Sequence, residues 1–387
     1  MKSIAVIGAS LSGLSAARAL RAQGFEGELN IVGAERNRPY DRPPLSKEYL
    51  AGDIDETCLT LEPEGEDLQA NWMLGLSATH LDAGTRSVTL SDGSQLTADG
   101  FVLATGSRAR AWPDTEHLAG VHVLRTIDDA DRLRAELIPG ATLVVIGAGF
   151  IGAEVASTAR KLGLDVTVVE AAPSPLIGAL GPQLGSAVAR LHGDNGTRLH
   201  CGVGVAGLTG AHRVTGVDLV DGRHLPADVV VVGIGGIPNT EWLAGSGIEL
   251  GNGVLCDRGG TTSIPGVVAV GDCAAWMDTS GGHRRVEHWT GASERPAIAV
   301  SSLLSGEYQG QQVKPPYFWS DQYGSRIQFA GIAGPDTEFT IEEGSLEAGS
   351  FLAVYRRDGQ PVAVLGVDQV RLFTRWRRQL CALPAPL

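Results

Sequence analysis

The chain is poor in cysteine, in positive charge and in long apolar runs. Five cysteines stand in 387 residues, at Cys58, Cys201, Cys256, Cys273 and Cys381. They are scattered, odd in number and without a C-x-x-C pair, which argues against a disulfide framework or a thiolate zinc site. No metal is expected. No apolar run approaches the roughly 20 residues that a membrane-spanning helix needs. Lys and Arg number 31 against 44 Asp and Glu, so the net charge is −13 and the pI about 5.2. Such a surface repels nucleic acid and anionic membranes, and neither is expected as a partner. The chain runs from Lys2 straight into a strand-like IAVIG, with no leader-like n-region or h-region. The expectation is a soluble cytoplasmic protein.

Glycine, by contrast, is abundant: 52 residues. The length allows two or three domains with buried cores. The stretch IAVIGASLSGLSAARAL places Gly8 and Gly13 as the first and last glycines of G-x-G-x-x-G do, with Ser10 at the middle position. A second run, ATLVVIGAGFIGAEVASTARKLG, carries the complete fingerprint in Gly147, Gly149 and Gly152. Each copy reads strand, glycine turn, helix, strand, acid. The acids are Glu35 and Glu170, 27 residues past Gly8 and 23 past Gly147. Further on, RSVTLSDGSQLTADGFVLATG (86–106) and VTGVDLVDGRHLPADVVVVGIGG (214–236) both read as an Asp-Gly hairpin followed by a buried strand. Agreement at four landmarks is internal duplication. It predicts two related α/β nucleotide-binding units, over 1–110 and 111–238.

The fingerprint chemistry is backbone chemistry. The first glycine permits the tight turn, the second admits a pyrophosphate, and the third packs helix against strand. The helix N-terminus offers free N–H groups to the phosphates. The acid takes a ribose diol. Ser10 keeps a small side chain able to donate to a phosphate oxygen. Two such sites imply one retained and one exchanging dinucleotide. RNRPYDRPPLSKEYLAG (36–52), rich in Arg and Pro, follows the first copy, whereas the uncharged AAPSPLIG (171–178) follows the second. The first site therefore suits a tightly held, non-covalent FAD. In TTSIPGVVAVGDCAAW (261–276), Asp272 follows a buried strand, where it can hold a ribityl chain. The carboxylate of Glu170 favours the free 2′-hydroxyl of NADH over the phosphate of NADPH.

GASLSG, PYDRPPLSKEYLAG, LATGSRAR, GAGFIGAE, GIGGIPN, VGDCA, VEHW and PYFWSDQYG occur in this order. Together they resemble the FAD-dependent ferredoxin and rubredoxin reductases that serve bacterial cytochrome P450 and ring-hydroxylating dioxygenase systems. The resemblance covers essentially the whole chain. It implies two Rossmann-like domains of the glutathione-reductase type plus a smaller α+β C-terminal domain. The FAD domain would span 1–110 and 239–310, the NADH domain 111–238, and the interface domain 311–387.

The resemblance also implies site residues. For FAD these are Gly8, Ala9, Ser10, Leu11, Ser12, Gly13, Glu35, Arg42, Lys47, Ala78, Ala104, Thr105, Gly106, Arg125, Asp272, Glu287, His288 and Trp289. For NADH they are Gly147, Gly149, Phe150, Ile151, Gly152, Glu154, Glu170 and Gly235. Lys47 would face the N5 edge of the flavin, where positive charge favours the reduced ring. Glu154 would sit beside the nicotinamide, and Trp289 and Trp319 would border the isoalloxazine. The implied reaction takes a hydride from NADH and passes electrons singly to a [2Fe–2S] ferredoxin or a rubredoxin, and so to the oxygenase. Thiol-dependent relatives, such as disulfide reductases, peroxidases and water-forming NADH oxidases, carry a redox cysteine where Pro43–Lys47 has none. A binding flavoprotein of the apoptosis-factor type is the remaining alternative. Finally, RLFTRWRRQ (371–379) places Arg371, Arg375 and Arg378 at helical spacing, with Arg377 beside them. This face is expected to steer an acidic partner, with Arg284 and Arg285 extending it.

Overall fold

The computed structural model describes residues 1–278 and 281–382. Its first sheet has five parallel strands in the order Val267–Ala269, Gly100–Leu103, Ser3–Ile7, Glu28–Gly33 and Ala70–Leu74. Ile4, Ala5, Val6 and Ile7 are all essentially inaccessible. A strand apolar on both faces needs cover on both, and parallel sheets receive it. The helices Leu11–Ala22 and Trp289–Ser305 supply part of that cover through Ala17, Leu20, Ala299 and Leu303.

The second sheet repeats the plan, in the order Arg198–Cys201, Asp165–Glu170, Thr142–Ile146, Val229–Val232 and Val121–His122. Each unit also carries a small antiparallel meander at the predicted hairpin. One is built from Ala78–Asp82, Ser87–Leu90 and Gln95–Thr97, the other from Val205–Thr209, Gly216–Leu219 and His224–Pro226. The turn glycines Gly93 and Gly222 both have φ near +85°, at +85° and +88°.

The third sheet is wholly antiparallel, in the order Tyr317–Gln322, Ser325–Gly331, Gln360–Val367, Ser350–Arg357 and Glu338–Ser345. Its residues alternate between two covered faces. Ala330, Leu352, Val354 and Val364 pack on Phe373 and Leu380 of the last helix, Val370–Ala382. Ile327, Phe329, Ala353 and Leu365 pack instead on Leu180, Leu184 and Val188 of the helix Ile177–Asp194, which belongs to the second unit.

The strand Tyr317–Gln322 lies along the helix Phe150–Lys161. The rings of Phe318 and Phe150 have centroids 4.3 Å apart, Ser320 reaches Glu154, and the Tyr323 N–H donates to Ser157. Positions 150, 154 and 157 share one helix face. The third sheet is thus fastened to the second fingerprint helix and not only to its own core. Among the described residues, no helix is long and apolar enough to cross a membrane.

Candidate active site

Both fingerprint turns are built alike. Gly8 has φ +124°, and a Cβ there would lie 2.0 Å from the carbonyl oxygen of Ala104. Gly147 has φ +99°, and its Cβ would lie 2.4 Å from the Gly233 oxygen. Only glycine satisfies both the dihedral and the space. The last glycines set helix-to-strand distance: a Cβ on Gly13 would fall 1.8 Å from the Gly8 oxygen, and one on Gly152 2.2 Å from the Gly147 oxygen. Gly149 differs, since a Cβ there would meet nothing within 4 Å. Its turn is open at the mouth of the helix, where a pyrophosphate needs room. In the first copy Ser10 holds that position, and its hydroxyl receives Arg42 Nε at 3.4 Å.

Around the first turn the sequence-predicted residues converge. The loop Gly271–Cys273 sits on the fingerprint helix, because a Cβ on Gly271 would lie 2.2 Å from Ser12 Oγ. Asp272 accepts from Arg125 Nη2 at 2.6 Å and from Ser107 Oγ at 3.3 Å. Arg42 ties the other end: it donates to Glu35 at 2.5 Å and to the Arg125 carbonyl at 2.7 Å. Tyr40 donates to the second oxygen of Glu35, and burial pushes its phenol up. Ala9 packs under Gly33, while Leu11 opens the helix. Thr105 and Asn239 exchange hydrogen bonds of 2.7 and 2.9 Å, beside Gly106. His288 stands at the start of the helix Trp289–Ser305 with its Nδ1 buried and unpartnered, and burial lowers its pKa to about 4.

The second turn is closed by its acid. Glu170 accepts the N–H of Ala148 and that of Ala172, each at 2.8 Å, so the carboxylate is pinned at the strand end beside the glycine turn. Gly235, at φ +98°, precedes Gly236, whose Cβ would lie 2.6 Å from Glu287. Phe150 is held by Phe318, and Ile151 is 46% exposed.

Between the two turns lies a buried ion pair. Lys47 Nζ is 3.2 Å from Glu154 Oε2, with side chains 12% and 4% exposed. The same carboxylate accepts Ser46 Oγ at 2.5 Å and Ser320 Oγ at 2.7 Å. The pair therefore joins three separate segments of the chain. At the start of the helix Trp289–Ser305, Trp289 meets Trp319 edge to face with centroids 6.2 Å apart, and Tyr317 stacks on Trp319. Trp289 Nε1 donates to Asp41 at 2.8 Å; burial raises the Asp41 carboxyl pKa, against that bond and the Lys47 charge.

Other expected residues take different places. Ala78 pairs with Leu90 in the meander. Arg285 is turned inward onto the Asp272 carbonyl and Glu287, so it does not extend an outer basic face as expected. Arg377 is not part of the exposed face either. It lies 3.8 Å over the Tyr317 ring, next to the aromatic pair, whereas Arg371, Arg375 and Arg378 project from the side opposite Phe373. Tyr40, Asp41, Ser46 and Ser320 were not singled out by sequence reading. The first three lie within PYDRPPLSK and the last within FWSDQYG, so their signal was position in a motif.

The dinucleotide-binding architecture is matched by a family model. Residues 2–295 match the pyridine nucleotide-disulphide oxidoreductase family. This chain belongs to that family. Residues 317–383 match a reductase C-terminal domain. The chain is 41% identical over 375 residues to the ferredoxin reductase component of chlorobenzene dioxygenase from Cupriavidus sp. (strain PS12), covering 96% of this chain and 90% of that protein. It is 39% identical to rhodocoxin reductase of Rhodococcus erythropolis, over 90% of this chain and 82% of the relative. Among solved structures, the covalent putidaredoxin reductase–putidaredoxin complex superposes with a TM-score of 0.93 at 32% identity, covering 98% of this chain and 93% of the other.

The residues fit the two dinucleotides that this family implies. The open face at Gly149, the pinned Glu170, and the unpartnered Nδ1 of His288 beside the Arg42–Arg125–Asp272 chain are each arranged for a group that accepts or donates there.

Proposed function

We propose that the chain is an NADH-dependent ferredoxin reductase: it takes a hydride from NADH and delivers electrons singly to a [2Fe–2S] ferredoxin or a rubredoxin that feeds a cytochrome P450 or a dioxygenase. The observation that carries this reading is the buried Lys47–Glu154 pair, which bridges the two nucleotide units close to the Trp289–Trp319 pair. The named activities of the relatives support the acceptor class. The division into an FAD domain (1–110 and 239–310), an NADH domain (111–238) and an interface domain (311–387) is part of the same proposal, as is a cytoplasmic location.

FAD, held by the first turn with Glu35, Arg42, Arg125 and Asp272, supplies the change from two-electron to one-electron chemistry. Gly149 and the N-terminus of the helix Phe150–Lys161 receive the NADH pyrophosphate, and Glu170 its adenosine ribose. Phe150 and Glu154 border the nicotinamide end. Lys47 places positive charge where negative charge develops on reduction, and Glu154 keeps that ammonium in place. Trp289 and Trp319 exclude water and offer an apolar, aromatic face to the partner. No side chain need act as general acid or base.

A thiol-dependent relay is disfavoured. Cys273 is fully buried, and burial pushes its thiol up, away from the reactive thiolate. Cys58 is exposed, in the turn Glu56–Leu59.

The test has two parts. Purified protein should be yellow, and NADH should bleach it under anaerobic conditions. Cytochrome c reduction should then be strongly stimulated by added ferredoxin. A colourless protein that does not reconstitute with FAD would sink the reading.

A further inference from the structure

The C-terminal sheet does more than face a partner. Its edge strand alternates: Tyr317 and Trp319 belong to the aromatic cluster, while Phe318, Ser320 and Gln322 point into the second unit. Ser320 is wholly buried and Gln322 nearly so, at 0% and 2% exposure. Gln322 Nε2 donates to Ser320 Oγ at 3.0 Å, and Ser320 Oγ donates to Glu154 Oε1 at 2.7 Å. The direction of this relay follows from chemistry. An amide NH2 can only donate, so it occupies the acceptor side of the hydroxyl, and the hydroxyl proton is left for the carboxylate. The other oxygen of Glu154 is taken by Ser46 Oγ and Lys47 Nζ.

From this geometry we infer that Ser320, oriented by Gln322, is a positioning residue for the Lys47–Glu154 pair. It acts through Glu154 and so sets the charge that Lys47 presents to the flavin. The inference rests on the reading that Lys47 faces the N5 edge. A buried carboxylate with three donors shares its charge among them. Removing the Ser320 donor leaves Oε1 without a partner, concentrates negative charge on Glu154 and draws more strongly on Lys47. The field at the flavin edge becomes more negative, and reduction there becomes less favourable. The C-terminal domain therefore tunes the redox centre from behind, through a strand whose alternate residues Tyr317 and Trp319 belong to the aromatic cluster.

The experiment uses the FAD-loaded, full-length protein. Two readouts are compared for the wild type, Ser320→Ala, Ser320→Thr and Gln322→Leu: the flavin midpoint potential, and the pH profile of anaerobic flavin reduction by NADH. Loss of a hydrogen bond to a charged group should shift the reduction equilibrium of Ser320→Ala roughly tenfold toward the oxidised form. For a two-electron couple that is about 30 mV more negative. The pH profile should shift with it. Ser320→Thr keeps the hydroxyl and should match the wild type. Gln322→Leu should move both readouts in the same direction by less, and it decides the matter if Ser320→Ala fails to fold or to retain FAD. An unchanged potential and pH profile in Ser320→Ala, or in Gln322→Leu where Ser320→Ala is not obtained, overturns the inference. So does equal impairment by Ala and Thr, which would indicate packing alone. Failure of the underlying reading is separable: wild-type protein whose flavin NADH does not reduce refutes the reductase assignment before any variant is compared.

Discussion

Replacing Glu170 by Gln should erode the preference for NADH over NADPH while weakening NADH itself. The carboxylate is fixed by two backbone N–H groups at 2.8 Å, from Ala148 in the glycine turn and Ala172 beyond the strand. It cannot swing away from an incoming 2′-phosphate without leaving both donors unsatisfied. A charge about 5 Å from another, at an effective dielectric of about 20, repels it by about 3 kcal/mol. Glu170 is partly exposed, and water reduces that figure. Half of it, about 1.5 kcal/mol, is still roughly tenfold in kcat/KM. The wild type should therefore prefer NADH by at least tenfold. Glu170→Gln removes the charge but keeps one acceptor, so discrimination should fall toward unity, and NADH should lose roughly tenfold from the strained turn and weakened ribose contact. Steady-state kinetics with both cofactors and ferricyanide as acceptor measures this without any protein partner. If the wild type uses both cofactors equally, or Glu170→Gln keeps the full preference, the carboxylate does not face the ribose.

The Lys47–Glu154 pair should be asymmetric. Glu154→Gln leaves the Lys47 ammonium buried without its carboxylate and should cost about 3–5 kcal/mol, whereas Lys47→Met leaves Glu154 with two hydroxyl donors and should cost less; denaturant midpoints of the FAD-loaded variants rank them. The fingerprint glycines should separate by role: Gly152→Val should abolish folding, because its Cβ would fall 2.2 Å from a carbonyl, while Gly149→Val should fold and retain FAD yet fail to bind NADH in a spectral titration. Stability should fall as the pH drops from about 6.5 to about 4, because buried neutral His192 has its pKa lowered to about 4 and the unfolded chain takes up the proton first. The loss attributable to His192 is up to about 3 kcal/mol, and His192→Gln should flatten the slope of stability against pH over that window. Replacing Arg371, Arg375 and Arg378 by Gln should lower ferredoxin-dependent turnover several-fold at low salt and leave ferricyanide reduction unchanged; if salt dependence survives, Arg377 over Tyr317 is the better candidate for steering.

What was legible in the sequence was what repeats and what the backbone demands. The two fingerprints are visible because a Cβ at Gly8, Gly13, Gly147 or Gly152 would fall within 2.5 Å of a carbonyl oxygen, and the two Asp-Gly hairpins because Gly93 and Gly222 sit at positive φ, which favours glycine. What was not legible is what crosses between units. Ser320 looks like any strand serine until the third sheet is laid along the helix Phe150–Lys161, 166 residues away in sequence, and its hydroxyl meets Glu154. Arg377 and Arg378 are adjacent and chemically identical, yet one lies on the Tyr317 ring and the other faces outward. Helical spacing correctly grouped Arg371, Arg375 and Arg378. It could not say which side of the helix the sheet would take, because that depends on Phe373 and Leu380 finding the apolar face of strands that pair only after the chain has folded. The same reasoning separates the two tryptophans from their neighbours. Trp289 is 37% exposed although large and apolar, and Asp41 holds its indole at the surface. An exposed aromatic fixed by a specific hydrogen bond, beside a buried ion pair that joins distant segments of the chain, is a local rule broken at one place. Such breaks are where a site is expected.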